Sequence, residues 1–163
     1  MNSHFTVTPS FAVKTLEKAL RLYTPSLSEK PMTDFLADKC DDLGFEDIKI
    51  DEVGNLIAKK GTGSPKIMLC GHMDVVPGKV KVRKEGDSLY GRGASDAKAP
   101  LIAMLFAAAA IQNNNGTIIF VAAVDEEGSA KLYNQGVLFY DGDASVSVPL
   151  PAALNIAISK TWQ

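Results

Sequence analysis

Three short stretches of this chain concentrate ionisable residues of the kinds that hold a divalent metal ion. The first is Gly71-His72-Met73-Asp74, the second runs from Gly91 to Asp96, and the third is Asp125-Glu126-Glu127-Gly128. Imidazole nitrogen and carboxylate oxygen are the ordinary ligands of a zinc-class ion, and a catalytic site keeps one coordination position open for water. His72 and Asp74 are two residues apart, so at a strand end they can point the same way. That spacing lets Asp74 accept the second imidazole N–H and fix the ring's tautomer. Asp96 has two oxygens and can bridge two ions. Of Glu126 and Glu127, one can bind metal while the other takes a proton from activated water. Each feature also has a plainer reading: a solvated histidine, a helix N-cap at Asp96, a surface Glu-Glu pair. Against these, all three stretches adjoin the most apolar segments of the chain, where an unpaired charge is costly.

Other chemistries find little support. Gly61-Thr62-Gly63-Ser64-Pro65-Lys66 lacks the spacing of a phosphate loop and leads into a strand pattern rather than a helix. Gly91-Arg92-Gly93 is not followed by the third glycine of a dinucleotide fingerprint. Ser95 and Cys70 have no neighbouring base, since the other histidine, His4, lies near the N-terminus.

The elements that must position these loops can be read from periodicity. A helix is expected over 11–23, with Ser10 as N-cap and Val13, Leu16, Leu20 and Tyr23 on one stripe. A second helix is expected over 29–43, with Gly44 as its stop. Strands are expected over 47–51 and 55–60, turning at Gly54–Asn55. KIMLC at 66–70 and TIIFVAAV at 117–124 are short apolar runs that suit buried strands. Residues 79–85 and 88–90 form a hairpin pattern around Gly86–Asp87. The Ala/Leu/Met-rich segment 97–113 is a helix with Pro100 in its first turn. Strand, helix and strand in that order imply a crossover and a mostly parallel or mixed central sheet flanked by helices. The three loops then open at the carboxyl edge of that sheet, where ligands bind in open α/β sheets. Beyond Glu127 the pattern weakens to a helix at 130–138 and strands at 144–148 and 154–159.

GHMDVVPG at 71–78, YGRGASDAK at 90–98 and DEEGSAK at 125–131 together resemble the zinc aminoacylase/carboxypeptidase family, which includes acetylornithine deacetylase and succinyl-diaminopimelate desuccinylase. DEVGNL at 51–56 and LNIAI at 154–158 are similar to that family too, and GRGASDAKAPL looks most like the hydrolases that free lysine or ornithine from the carrier protein LysW. The resemblance implies that His72 binds one zinc, Asp96 bridges two and Glu127 binds the other. It implies Glu126 as general base and Asp74 as the residue that orients His72. The implied reaction is hydrolysis of an amide by metal-activated water, in amino-acid biosynthesis. Cobalt or manganese suits the same ligands. The implied partners are a small N-acyl amino acid or an acidic amino-group carrier protein.

The sequence departs from that pattern at named positions. Ala99 stands where family members have glycine, and Leu132 replaces the glycine expected after Lys131. Leu150 occupies the place of an acidic ligand in a turn before LNIAI. The family's lid/dimerisation domain and distal histidine ligand have no counterpart here. Residues 1–163 therefore read as one partial catalytic domain of an incomplete enzyme. The alternative is an inactive remnant that binds metal or a partner and associates with itself through the face left exposed.

Composition sets the outer bounds. In 163 residues, 46% are hydrophobic, enough for one real core, and the net charge of −2 comes from interspersed acids and bases. No basic stripe suits nucleic acid, and no apolar run approaches the roughly 20 residues of a membrane span. Cys40 and Cys70 are not spaced as a metal pair. With no secretion signal read at MNSHFTVTPS, the expectation is a cytoplasmic protein with free thiols.

Overall fold

In the computed structural model, which describes residues 7–111 and 115–128, helix α1 spans Pro9–Arg21. Its N-cap is Thr8, not Ser10: the Thr8 hydroxyl accepts the Phe11 N–H at 3.2 Å, and Pro9 takes the first helical position. Thr15, Ala19 and Leu20 are its buried residues, Leu16 packs half-buried against the core, and Val13 is 41% exposed. Helix α2 (Lys30–Asp42) buries Met32, Thr33, Leu36 and Cys40, and Gly44 follows it at φ +73° as the expected stop. Helix α3 (Lys98–Ala110) is apolar over most of its circumference and is buried on several sides, with Phe106 tilted against Phe11 of α1 at a centroid distance of 5.7 Å.

The sheet is mixed, as expected, but its construction was not visible in the sequence. Strand β1 (Glu46–Ile50) pairs antiparallel with β2 (Leu56–His72), which is one long strand where two were expected. Both halves of β2 pair with β5 (Asn115–Ala123). Along the first arm the partners descend, from Leu56 opposite Ala122 to Gly61 opposite Thr117. Along the second they ascend, from Lys66 opposite Thr117 to His72 opposite Ala123. Ile119 therefore faces Lys59 on one side and Met68 on the other, so β5 runs between the two arms, antiparallel to one and parallel to the next. That central place explains why every residue from Gly116 to Val124 is buried. The helices cover one face of this sheet, where Phe120, Leu56, Ala58, Leu101, Leu105, Leu36 and Met32 form the main core. Ile119 and Val121 pack on the other face with Ile57, Met68 and Cys70.

Strands β3 (Arg83–Glu85) and β4 (Ser88–Tyr90) form the expected hairpin around Gly86–Asp87. Among the described residues no helix is long and apolar enough to cross a membrane. The elements expected beyond residue 128, together with Leu132, Leu150 and His4, lie outside the described residues.

Candidate metal centre

The ends of β2 and β5 lie side by side, and this places the first and third loops together. His72 is the last residue of β2, and the next residue, Met73, donates its N–H to Ala123 O at the end of β5. The motif Asp51–Asn55 holds that end from behind. Asp51 Oδ1 accepts the N–H groups of Val53, Gly54 and Asn55, and its Oδ2 accepts Asn55 Nδ2 at 2.8 Å. Asn55 Oδ1 in turn accepts the Val124 N–H at 2.9 Å, one residue before Asp125 turns the chain at φ +57°.

Asp74 is fully buried and joins the two loops. Its Oδ1 faces His72 Nδ1 and accepts the Glu126 N–H, each at 3.2 Å. Its Oδ2 accepts the Ser26 hydroxyl at 2.7 Å and the Glu127 N–H at 2.9 Å. A carboxylate has about four acceptor positions, and here each oxygen meets two donors. Burial alone would raise the Asp74 pKa, but His72, Ser26 and the Glu127 N–H hold it below the usual carboxylate range. Asp74 thus faces His72 Nδ1 through one oxygen and in addition holds the backbone that presents both glutamates.

Gly93 packs the second loop against the first. It sits at φ +83°, and a Cβ there would come within 2.7 Å of Val75 Cγ1. Its carbonyl accepts the Lys98 N–H at 2.9 Å. Asp96 does not cap α3; Ala97 holds that position, with no side-chain cap. Asp96 instead directs Oδ1 to within 3.0 Å of His72 Nε2. The imidazole is therefore held between two carboxylates, with Glu126 Oε2 at 3.7 Å as a third neighbour. Burial of His72 would lower its pKa, yet Asp74 and Asp96 outweigh that and raise it to about 9.

The residues fit a divalent cation. His72, Glu126 and Glu127 each offer one ligand atom, and these atoms lie within 4.8 Å of one another. Asp96 stands at the rim of this group, its side chain 77% exposed, with Oδ1 on His72 Nε2. The carboxyl of Glu127 is raised above its ordinary range, first by burial and then by the charge of Asp96, with Glu126 and Asp74 adding to it. Four carboxylates around one imidazole are mutually repulsive unless a positive charge joins them. All five residues singled out in the sequence are brought together at one end of the sheet.

Ser26 and Glu29 also belong to this neighbourhood and were missed in the sequence. The helix expected over 11–23 leaves Thr24, Pro25 and Ser26 as a plain connection. The cluster Thr24-Pro25-Ser26, so rich in turn formers, was the available signal.

Residues 68–156 match the family model described as peptidase family M20/M25/M40. The Pyrococcus abyssi protein named "Putative LysW-lysine/LysW-ornithine hydrolase" is 43% identical over 119 residues, 73% of this chain and 34% of the relative. The LysW-lysine/LysW-ornithine hydrolase of Sulfurisphaera tokodaii is 37% identical over 132 residues, 76% of this chain and 36% of the relative. Among solved structures, human carnosine dipeptidase 1 superposes with a TM-score of 0.66 at 21% identity, covering 77% of this chain and 34% of that one. An M20-family metallo-carboxypeptidase of Sulfolobus solfataricus gives 0.56 at 24% identity, covering 71% and 31%. The chain thus spans about a third of the length of the curated relatives it matches.

Proposed function

Because this chain belongs to peptidase family M20/M25/M40, a family of metal-dependent hydrolases, we propose that its three acidic loops form the metal-binding part of a zinc-dependent amide hydrolase. The observation that carries this reading is the convergence of His72, Glu126 and Glu127 within 4.8 Å, with Asp96 on the same imidazole nitrogen. His72, Asp96 and Glu127 are the residues that would hold the metal, with the two oxygens of Asp96 available to a second ion, and cobalt or manganese would suit the same set. A bound ion would supply a Lewis acid for the amide carbonyl and bring water into its ionising range near neutral pH.

The chain's own residues do the rest. Asp74 holds His72 in the tautomer that frees Nε2 and keeps the turn at Glu126 and Glu127 in register. Glu126, partly buried beside His72, takes the proton from the attacking water and returns it to the departing amine. The names of the relatives support a substrate in which lysine or ornithine is joined through an amide to the carrier protein LysW, within amino-acid biosynthesis. A small N-acyl amino acid is the simpler member of the same substrate class.

The test is release of free lysine or ornithine from LysW-linked substrate, or from its N-acetyl form, by the zinc-loaded protein. Release that Glu126→Gln reduces by a factor of about 100 or more supports the assignment. Release that Glu126→Gln leaves unchanged contradicts the role of Glu126. Leu150, which stands where the family pattern has an acidic ligand, favours a second reading: a domain that binds metal without turnover. Zinc binding with no release from either substrate is the result that distinguishes it.

A further inference from the structure

Between α1 and α2 the chain crosses beneath both ligand-bearing loops, and four of its residues make contacts to them. Thr24 Oγ1 donates to Met73 O at 3.0 Å, and Thr24 O accepts the Val75 N–H at 3.0 Å. Pro25 forms an isolated parallel bridge with Val75. These contacts clamp the backbone on both sides of Asp74. Ser26 then reaches Asp74 itself at 2.7 Å. Glu29 serves the other loop. Its Oε1 accepts the N–H of Leu27 at 2.9 Å and that of Asp125 at 3.0 Å, and the residue is only 5% exposed.

The two contacts complement each other. Asp74 ties the first loop to the Glu126 and Glu127 amides, while Glu29 ties the residue just before those amides to the 24–29 crossing. Asp125 is a non-glycine residue at φ +57°, a conformation that needs surrounding contacts to hold it. Space beneath the turn is already filled, since a Cβ on Gly128 would come within 2.7 Å of Ser26 Cβ. The turn thus packs directly on Ser26 as well as hydrogen-bonding to the crossing.

On the reading of these loops as a metal centre, we propose that Ser26 and Glu29 are positioning residues. Together they form a strap that fixes the spacing of His72 from Glu126 and Glu127, without touching the ion or the substrate. Both donors to Glu29 meet the same oxygen, so the strap requires an acceptor atom and not a negative charge.

Amide hydrogen exchange, measured by NMR on the metal-free 163-residue chain, tests this directly. Glu29→Ala is expected to speed exchange at Asp125 and Glu127 by roughly tenfold or more, while Phe120 in the middle of β5 keeps its rate. Glu29→Gln retains a carbonyl oxygen and is expected to stay within about threefold of wild type. Ser26→Ala is expected to speed exchange at Glu127, and decides the matter if Glu29→Ala does not fold. Rates at 125–127 that stay within about twofold in both variants overturn the strap, as does equal acceleration at Phe120. Zinc calorimetry on the same proteins is expected to show roughly tenfold or greater weakening in Ser26→Ala and Glu29→Ala. A wild-type chain that takes up no zinc overturns the metal-centre reading alone, and exchange still decides whether the strap exists.

Discussion

Replacing Asp74 by asparagine keeps the shape of the side chain and turns one acceptor oxygen into an NH2 donor, removing the charge as well. Asp74 meets four donors, two on each oxygen. Whichever way the asparagine amide turns, one oxygen keeps its pair and the NH2 group confronts the other. The milder arrangement leaves the oxygen with Ser26 and Glu127 and sets NH2 against the Glu126 N–H. His72 Nδ1 can then accept by changing tautomer. One buried N–H loses its partner, at a cost of about 2 kcal/mol, and two charge-assisted bonds weaken by about 1 kcal/mol each. The sum is about 4 kcal/mol, a large share of a typical domain's stability. Urea unfolding of the metal-free proteins measures it. The same change should lower the pKa of His72 from about 9, since Asp74 is the chief group that raises it against burial. The linkage follows from that sign. A His72 pKa raised from 6.5 to about 9 adds stability to the metal-free wild type that is fully present below pH 6.5 and lost as pH rises through 9. Asp74→Asn should therefore show a shallower loss over that window. A stability change under about 1 kcal/mol, or an unchanged His72 titration, would refute the view that Asp74 joins the two loops.

Lys98 is wholly buried, and its Nζ donates to Ala19 O at 3.1 Å and to Leu22 O at the end of α1. Lys98→Met leaves both carbonyls without this donor and should cost about 2–3 kcal/mol in urea unfolding near pH 7. Burial, partly opposed by Asp74, lowers the Lys98 pKa to about 8, so the unfolded chain binds the extra proton between pH 8 and 10.5. Wild type should gain stability relative to Lys98→Met across that window, and a flat difference would contradict it. Burial pushes both thiols, Cys40 and Cys70, up to about 12. Neither should react with a thiol reagent at pH 8 in the native chain, while both react once it is unfolded. Thr8→Ala should destabilise the chain by about 1 kcal/mol through loss of the α1 cap, whereas Ser10→Ala should be nearly neutral in the same thermal melts.

The parts of this structure that local chemistry decides could be read in the sequence. TIIFVAAV is apolar on both faces because β5 packs on both, through Phe120 and Ala122 in the main core and through Ile119 and Val121 against Ile57, Met68 and Cys70, and α3 is apolar nearly all round because it lies between α1 and the sheet. The five candidate site residues stood out because ionisable groups next to such segments need a shared partner. What escaped was set by pairing at long range. Nothing in residues 56–72 shows that their two halves embrace a strand some 60 positions on. Ser26 and Glu29 reach partners 48 and 96 residues away, and locally they look like an ordinary turn and a helix start. The helix start moved from Ser10 to Thr8 because Pro9 suits the first helical position and Thr8 can reach the Phe11 N–H.

Calorimetric titration of the 163-residue chain with zinc is the most direct test of the central claim, that His72, Asp96 and Glu127 hold a metal ion. Binding at micromolar concentration or tighter is expected, abolished by His72→Ala and weakened by about tenfold or more by Asp96→Ala and Glu127→Ala. Absence of binding, or binding indifferent to His72→Ala, would contradict it.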